Sequence, residues 1–251
     1  MGAGQVDSAG QPWAGRSFAP SDPSADDGSA PPALIAMLAR FTAREASEAD
    51  VVDVLRTSRV LIPLVAQLGE TGIGPTGLVT DKSADLSIVT VAGPDGRAVL
   101  PVFSSVAAMS RWNATARPVP ADAVRVGLAA ASEDTELVVL DPASDTEFVL
   151  RRPAVWALAQ QLPWLPSRLD PEVHAAFAAS IADVAEVRDI RWESGDPTCR
   201  LAGPELVVTV VLEPGLDADD LASLLARLQA AWAADEVIAT RVDSLALRVR
   251  S

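Results

Sequence analysis

The run Ala98-Val99-Leu100-Pro101-Val102-Phe103-Ser104-Ser105 decides how the middle of this 251-residue chain folds. Its first six residues are apolar and predict a buried strand. Ser104 or Ser105 then predicts the N-cap of a short helix with Met109 and Trp112, because a serine oxygen accepts a hydrogen bond from a free N–H group of the first helical turn. The turn Gly93-Pro94-Asp95-Gly96 joins this strand to an earlier one at Leu86–Val91, so we expect a hairpin followed by a helix.

Alternating helices and strands are predicted around this run. An amphipathic helix follows Pro31-Pro32, and Ser47-Glu48-Ala49-Asp50 resembles a capping box that starts a second helix. Val60–Ala66 has the pattern of a buried strand, and because Pro63 cannot donate a hydrogen bond to a neighbouring strand, we expect Pro63 at a sheet edge or a bulge. After the central run, the patterns predict a helix over 121–131, a hairpin of 137–140 with 147–150, and a helix from Pro153 that carries Val155, Trp156 and Leu158.

The break Pro163-Trp164-Leu165-Pro166-Ser167 separates this part from a second pattern, of order α-β-β-α-β. Residues 1–32 are rich in Gly, Ala, Ser, Pro and Asp and predict a disordered tail; the alternative is that Trp13 and Phe18 anchor a short partner-binding motif. The predicted fold class is α/β (α+β), with two small mixed-sheet domains and flanking helices over 33–162 and 167–251. The second domain is predicted to have helices over 171–184 and 221–232 and strands over 186–192, 205–212 and 244–249.

Charge and composition exclude several classes of protein. The chain has 34 acidic and 20 basic side chains, a net charge of −14, which argues against binding to nucleic acid or to an anionic membrane, since both need a basic face. Apolar runs are far shorter than the ~18 residues of a membrane helix, and the first residues lack a signal-peptide pattern. Cys199 is the sole cysteine, so no intramolecular disulfide forms. The heavy use of alanine and arginine is typical of a high-GC bacterium. We expect a cytoplasmic protein.

Two motifs that resemble ligand sites have simpler explanations. Gly72-Ile73-Gly74-Pro75-Thr76-Gly77 matches the spacing of a dinucleotide-binding loop, but Leu78-Val79-Thr80 continues towards a strand and not into the helix that would hold a pyrophosphate. We therefore expect a loop between strands. Asp217-Ala218-Asp219-Asp220 lacks the later oxygen ligand and the glycine of an EF-hand, so it predicts a helix start with Asp217 as N-cap. Neither a metal nor a cofactor is predicted.

His174 and Cys199 each occur once and have reactive side chains. His174 flanks the apolar stripe of its predicted helix and has no G-x-S-x-G elbow beside it, so a surface or boundary position is favoured over a catalytic one. Arg200 follows Cys199 and would lower the pKa of the thiol if the two side chains were adjacent in space. Carboxylates are numerous, but their spacing selects no acid–base pair. No catalytic residue is predicted.

Several segments together resemble the SseB family in their order and spacing. That family has a vPl strand, a block of the form dG…lpvFTs…al..w, and an NP turn. The resemblance covers about residues 33–162, and the chain from Pro171 onward is similar in layout to the C-terminal domain of the family. The matching features here are Arg59–Val65, Ala98–Ser105, Met109, Trp112 and Leu140-Asp141-Pro142.

The resemblance implies a protein with no established catalytic activity or cofactor. The family name links its members to enhanced serine sensitivity, and some family descriptions add a role in a type III secretion translocon. Ser104 stands where the family has Thr, and Asp141 stands where it has Asn, which adds a charge and removes an amide donor. These residues are expected to build the fold, as a strand end, a helix cap and a turn; the functional alternative is that the Phe103–Ser105 corner and the Asp141-Pro142 turn lie together and rim a partner groove. The tentative partner-binding surface is Phe103, Ser104, Ser105, Trp112, Asp141 and Pro142.

The favoured hypothesis is a non-enzymatic, cytoplasmic accessory protein that acts through contacts with an unidentified protein partner, linked to serine or sulfur-amino-acid metabolism. One alternative is an enzyme or small-molecule sensor with a carboxylate-lined or His174-containing pocket. A second alternative is a protein associated with type III secretion. No oligomeric state is predicted.

Overall fold

A computed structural model describes residues 26–67 and 85–250 of the chain. Mixed helices and strands follow one another throughout, which confirms the predicted α/β (α+β) class. The helices are α1 (Pro32–Thr42), α2 (Glu48–Arg56), α3 (Val106–Trp112), α4 (Ala123–Ser132), α5 (Arg152–Ala159), α6 (Pro171–Ile181), α7 (Ala218–Ala234) and α8 (Glu236–Arg241), with a 3-10 turn at Ser167–Leu169. The strands are β1 (Val60–Gln67), β2 (Asp85–Ile88), β3 (Val91–Ala92), β4 (Ala98–Val102), β5 (Arg117–Ala121), β6 (Val138–Leu140), β7 (Phe148–Leu150), β8 (Val187–Ser194), β9 (Leu206–Leu212) and β10 (Leu245–Arg250).

Two sheets lie in the first half of the chain. In one, β1 lies between β2 and β5, and both pairings are antiparallel. The other has the order β3-β4-β6-β7, in which β4 and β6 are parallel and the outer pairs are antiparallel. The backbones of Leu61 and Phe103 exchange two hydrogen bonds of 2.8 and 2.9 Å. Phe103, directly after β4, therefore joins the two sheets.

Helix starts follow the predicted capping chemistry. The Ser47 hydroxyl accepts a hydrogen bond from the Asp50 N–H, and the Asp50 carboxylate accepts one from the Ser47 N–H, which is a complete capping box at α2. Ser105 caps α3 by accepting from the Ala108 N–H. Asp217 caps α7 by accepting from two backbone N–H groups. These three sequence predictions are confirmed.

Several local predictions need correction. The predicted strand at Leu86–Val91 is two strands, because β2 pairs with β1 whereas β3 pairs with β4. Pro63 lies in β1, the central strand of its sheet, and not in an edge strand; it pairs with Pro118 of β5, and pairing with β2 begins only at Leu64. The missing N–H of Pro63 therefore interrupts no pairing with the described residues of β2. The helix α8, capped by Asp235, was not predicted, and Gly72–Gly77 lie outside the described residues.

Apolar side chains form two large buried clusters. One fills the space between the first sheets and α1, α2, α4 and α5, and the other lies between α6, α7 and the sheet of order β10-β9-β8. The loop 195–204 leaves the second half and carries Cys199 and Leu201 into buried clusters of the first half. Among the described residues, no helix has both the length and the apolar character to cross a bilayer.

Candidate functional site

The predicted corner is held together by the carboxylate of Asp141. One oxygen accepts a hydrogen bond from the Ser104 N–H (2.8 Å), and the other accepts from the hydroxyls of Ser104 (2.7 Å) and Thr146 (2.9 Å). Asp141 has a φ of 47°, in the left-handed region that Asn and Asp tolerate better than other side chains. The end of β4 and the turn after β6 therefore lie together, which was expected only under the functional alternative.

Burial decides which side chains of this corner are accessible to a partner. Asp141 is 1% exposed, and Phe103 and Ser104 are equally buried, so these three side chains build the corner and do not reach a partner. The Phe103 ring lies 5.2 Å from that of Trp112. Ser105, Trp112 and Pro142 are partly exposed. The predicted surface is thereby reduced to these last three residues, for which partner binding stays a prediction.

The chain itself also covers part of this corner. Residues 26–31 belong to the predicted tail, yet the Val106 N–H at the start of α3 donates to the Gly28 carbonyl oxygen (2.9 Å). Arg59 donates to the Ser104 carbonyl oxygen and to the Asp26 carboxylate. Gly28 has a φ of 73°, and a Cβ at this position would lie 2.6 Å from a Val106 methyl group, so only glycine fits this approach.

A second polar site joins the two large cores through Arg151. Its guanidinium donates to the carboxylates of Asp196 (2.8 Å) and Asp243 (3.0 Å), and Arg97 binds Asp243 through two further bonds of 3.0 Å. The Arg151 side chain is 9% exposed and the two carboxylates are 1% exposed. Burial alone would raise the pKa of Asp243, but the hydrogen bonds and charges of Arg97 and Arg151 outweigh it and hold that pKa below its ordinary value.

Two further carboxylates lie near this interface without such strong partners. Burial raises the pKa of Glu205 despite hydrogen bonds from the N–H groups of Asp243 (2.6 Å) and Ser167 (3.3 Å). Burial also raises the pKa of Glu48, whose contact with Arg168 is long, at 3.4 Å. Both glutamates line a cavity of about 20 Å³, which has room for about one water molecule.

The two singly occurring reactive side chains have structural surroundings. Cys199 is buried, and that burial, together with the carboxylates of Glu48 and Asp196, raises the pKa of its thiol. Arg200 does not reverse this effect, because its guanidinium donates to the carbonyl oxygens of residues 144 and 145. The His174 ring stacks on Trp192 with centroids 4.2 Å apart and is hydrogen-bonded to a backbone oxygen, which fits a boundary position.

An open groove lies between α4 and α5. Leu128 is 62% exposed and Trp156 is 42% exposed, although both are large apolar side chains on helices that pack against each other. The groove has a volume of about 390 Å³. Its acidic end is formed by Asp134 and Glu136. This arrangement presents apolar area to solvent beside negative charge.

A wider cleft separates the first and second halves of the chain. It has a volume of about 580 Å³ and receives side chains from both halves, including Arg44, Arg168 and Trp192. Clefts between packed units are common positions for small-molecule sites. Arg168 is partly engaged by Glu48, whereas Arg44 forms no ion pair within the described ranges.

The groove and the Arg151 cluster were not predicted from the sequence, for different reasons. Leu128 falls off the buried stripe of α4, and Trp156 off that of α5; plotting each helix against its buried face would have identified both. Arg151 lies 45 residues from Asp196 and 92 from Asp243, and no local pattern marks contacts at such separations.

Fold and sites together define a mixed α/β protein with two large cores, an internally bonded corner and an open apolar groove. Within the described ranges, no group of three or more His, Cys, Asp or Glu side chains is arranged to hold a metal ion. Residues 34–157 match the SseB protein N-terminal domain. This part of the chain is therefore an SseB N-terminal domain, as the resemblance predicted, and the likeness of the chain from Pro171 onward to the C-terminal domain of the family stays a prediction. Neither the curated proteins nor the solved structures provide a significant match.

Proposed function

We propose that this protein is a non-enzymatic accessory protein that binds another protein through the groove between α4 and α5. The observation that carries the proposal is the exposure of Leu128 and Trp156 on neighbouring helices of the SseB domain. Complete burial of a large apolar side chain contributes about 1.5–3 kcal/mol, and part of that free energy is unused while Leu128 is 62% exposed and Trp156 is 42% exposed. Adjacent exposed apolar side chains with a polar rim are typical of interaction surfaces.

The surroundings of the reactive side chains support a binding role. The Cys199 thiol is buried with a raised pKa, so it is poor in the thiolate form that acts as a nucleophile. Asp141, Asp196 and Asp243 are held by hydrogen bonds within the protein. These groups are therefore committed to building the fold.

Partner capture by matched variants tests this proposal. We expect Leu128→Glu to abolish recovery of a partner that the wild-type protein captures, because it places a charge in the centre of the apolar contact. Leu165→Glu is the control, since Leu165 is 49% exposed and lies outside the groove lining. Undiminished capture by a folded Leu128→Glu protein would contradict the proposal.

We place this binding protein in the cytoplasm, in serine or sulfur-amino-acid metabolism. The support is the link between the SseB family and serine sensitivity. A strain lacking the protein should be more inhibited by added serine, and Leu128→Glu should fail to restore growth. Cell fractionation separates this setting from the secretion-associated alternative, which requires the protein in the secreted fraction.

The cleft between the two halves favours a second candidate function, that of a small-molecule sensor. Arg44 and Arg168 offer cationic donors, and Trp192 offers an aromatic surface. A thermal-shift screen over amino acids and nucleotides tests this function, since a ligand that binds the folded state raises the melting temperature by an amount that grows with ligand concentration. A shift that is lost in Arg44→Ala would support the sensor, and no shift with any compound would contradict it.

A further inference from the structure

We infer that the segment bound in the α4–α5 groove is an amphipathic α-helix whose polar face carries lysine or arginine. This inference rests on the proposed function and specifies the chemistry of its partner. The inference follows from the shape of the groove, from its negative charge, and from the poor match of a second copy, or of the segment before α1, to that negative charge.

The shape favours a helix. Gly127 of α4 packs so closely on Ala159 of α5 that a Cβ on Gly127 would lie 2.6 Å from that of Ala159. The two helices therefore meet at small residues, and Leu128 and Trp156 stand beside the resulting depression. The lining comes from helices and the following turn, so the groove offers side chains and no strand edge for main-chain pairing. A helix that inserts apolar residues at i, i+3 and i+4 suits such a surface.

The charge favours a basic partner. Asp134 and Glu136 line one end of the groove, and none of its described lining residues is basic. Arg152 approaches the Trp156 ring at 5.5 Å and forms a long contact of 3.8 Å with the Glu136 carboxylate. Its guanidinium also donates to the carbonyl oxygens of Ala239 and Val242, both at 2.7 Å, and the Glu136 side chain stays 59% exposed. Lysine or arginine at the edge of a bound helix would meet two carboxylates, which improves both association rate and specificity.

Neither a second copy of this chain nor the segment before α1 matches this partner. A second copy also carries a net charge of −14, so pairing two acidic grooves would place like charges together. The segment before α1 contains one basic residue, Arg16, against four aspartates. Its bulky residues Trp13 and Phe18 are five apart with Gly15 between them, which does not match a helical apolar face.

Three synthetic 18-residue peptides test the inference by fluorescence anisotropy. All share one Leu/Trp face at i, i+3, i+4 and i+7, and their polar positions are Lys, Gln or Glu. At low salt we expect the Lys peptide to bind at least about 10-fold more tightly than the Glu peptide, with the difference reduced by salt. Leu128→Glu should weaken all three complexes by about 10-fold or more.

Charge removal provides the matched comparison. Asp134→Asn with Glu136→Gln should abolish the preference for the Lys peptide and leave binding of the Gln peptide unchanged. Asp183→Asn with Glu213→Gln removes the same charge from the other half of the chain and should keep the preference. Equal affinities for the Lys and Glu peptides, or no binding by any peptide, would overturn the inference, as would a wild-type dimer in solution that Leu128→Glu dissociates.

The two proposals can fail separately. If Leu128→Glu prevents partner capture but the peptides show no preference for positive charge, the partner chemistry is wrong and the binding function stands. If Leu128→Glu leaves partner capture intact, the binding function at this groove fails as well.

Discussion

The Asp141 corner and the α4–α5 groove lie in the same SseB domain but use their side chains in opposite ways. At the corner, a buried carboxylate satisfies one backbone N–H and two hydroxyls, and residues 26–31 of the chain cover the outside. At the groove, Leu128 is 62% exposed and Trp156 is 42% exposed, with Arg152 over the Trp156 ring at 5.5 Å. The comparison teaches that the residues by which the family is recognised are largely interior, whereas the surface that suits a partner carries no motif.

A substitution of Arg151 provides the strongest test of how much the buried polar groups contribute to stability. Arg151→Ala should lower the free energy of unfolding by about 3–5 kcal/mol, because it leaves the buried carboxylates of Asp196 and Asp243 without their shared partner. Urea unfolding followed by circular dichroism measures this loss. Arg248→Ala is the control, since it removes an arginine from the exposed pair with Glu193 and should cost about 1 kcal/mol or less. Similar losses in the two variants would refute the assigned role of burial.

Asp141 tests the corner itself. Asp141→Ala should cost about 1–3 kcal/mol, because the buried Ser104 N–H and hydroxyl lose their acceptor. Asp141→Asn keeps one oxygen for the N–H, and the two hydroxyls can rotate to accept from the new amide, so we expect a loss of about 1 kcal/mol or less. Chemical denaturation of both variants measures the difference. Equal losses would show that packing, and not the hydrogen bonds, holds the corner.

Glu205 tests whether the buried polar groups between the two cores are as well satisfied by hydrogen bonds and opposite charges as those of the Asp141 corner. Its pKa is raised in the folded protein, so its contribution to stability is greatest below about pH 4.5, the ordinary value, and is lost as pH rises through the folded-state pKa. Between pH 4.5 and 7.5, the wild-type protein should therefore lose stability relative to Glu205→Gln. Urea unfolding at several pH values checks this trend. A difference that stays constant with pH would rule out Glu205 as the titrating group.

The smallest effect is expected at the groove. Leu128→Glu should change the free energy of unfolding by no more than about 0.5 kcal/mol, because an exposed side chain contributes little to the folded state. Thermal unfolding measures this, and the same variant should lose partner binding. A large destabilisation would mean that Leu128 supports the fold, which would remove the contrast with Asp141.

Local chemistry made much of this fold predictable. The sequence predicts N-caps at Ser47, at Ser104 or Ser105, and at Asp217, because capping depends on residues within three positions of one another. The structure has these caps at Ser47, Ser105 and Asp217. The contact between Ser104 and Asp141 joins residues that are 37 positions apart, and the sequence offered this proximity only as part of the functional alternative for the family motifs. The Arg97–Asp243 pair spans 146 residues, and no periodicity specifies which distant acid an arginine meets.

Exposure was harder to predict than secondary structure. Trp156 belongs to a correctly predicted helix, yet the assumption that an apolar residue on an amphipathic helix faces the core fails for this residue. The corner shows the reverse error, because Ser104 and Asp141 are polar and still buried. Hydropathy indicates which residues prefer the interior, but the neighbours that satisfy a polar group decide whether it can enter.

The loop 195–204 has a consequence for any attempt to dissect this protein. The Cys199 carbonyl oxygen accepts a hydrogen bond of 2.7 Å from the Val149 N–H, and the Leu201 side chain packs with Val99 and Val139. A truncated fragment that stops at the proline-rich linker would lack both contacts and leave the outer strand of the family-matched portion bare. The exposed strand edge of such a fragment would be prone to pair with other chains. The smallest unit suited to expression therefore includes the loop 195–204.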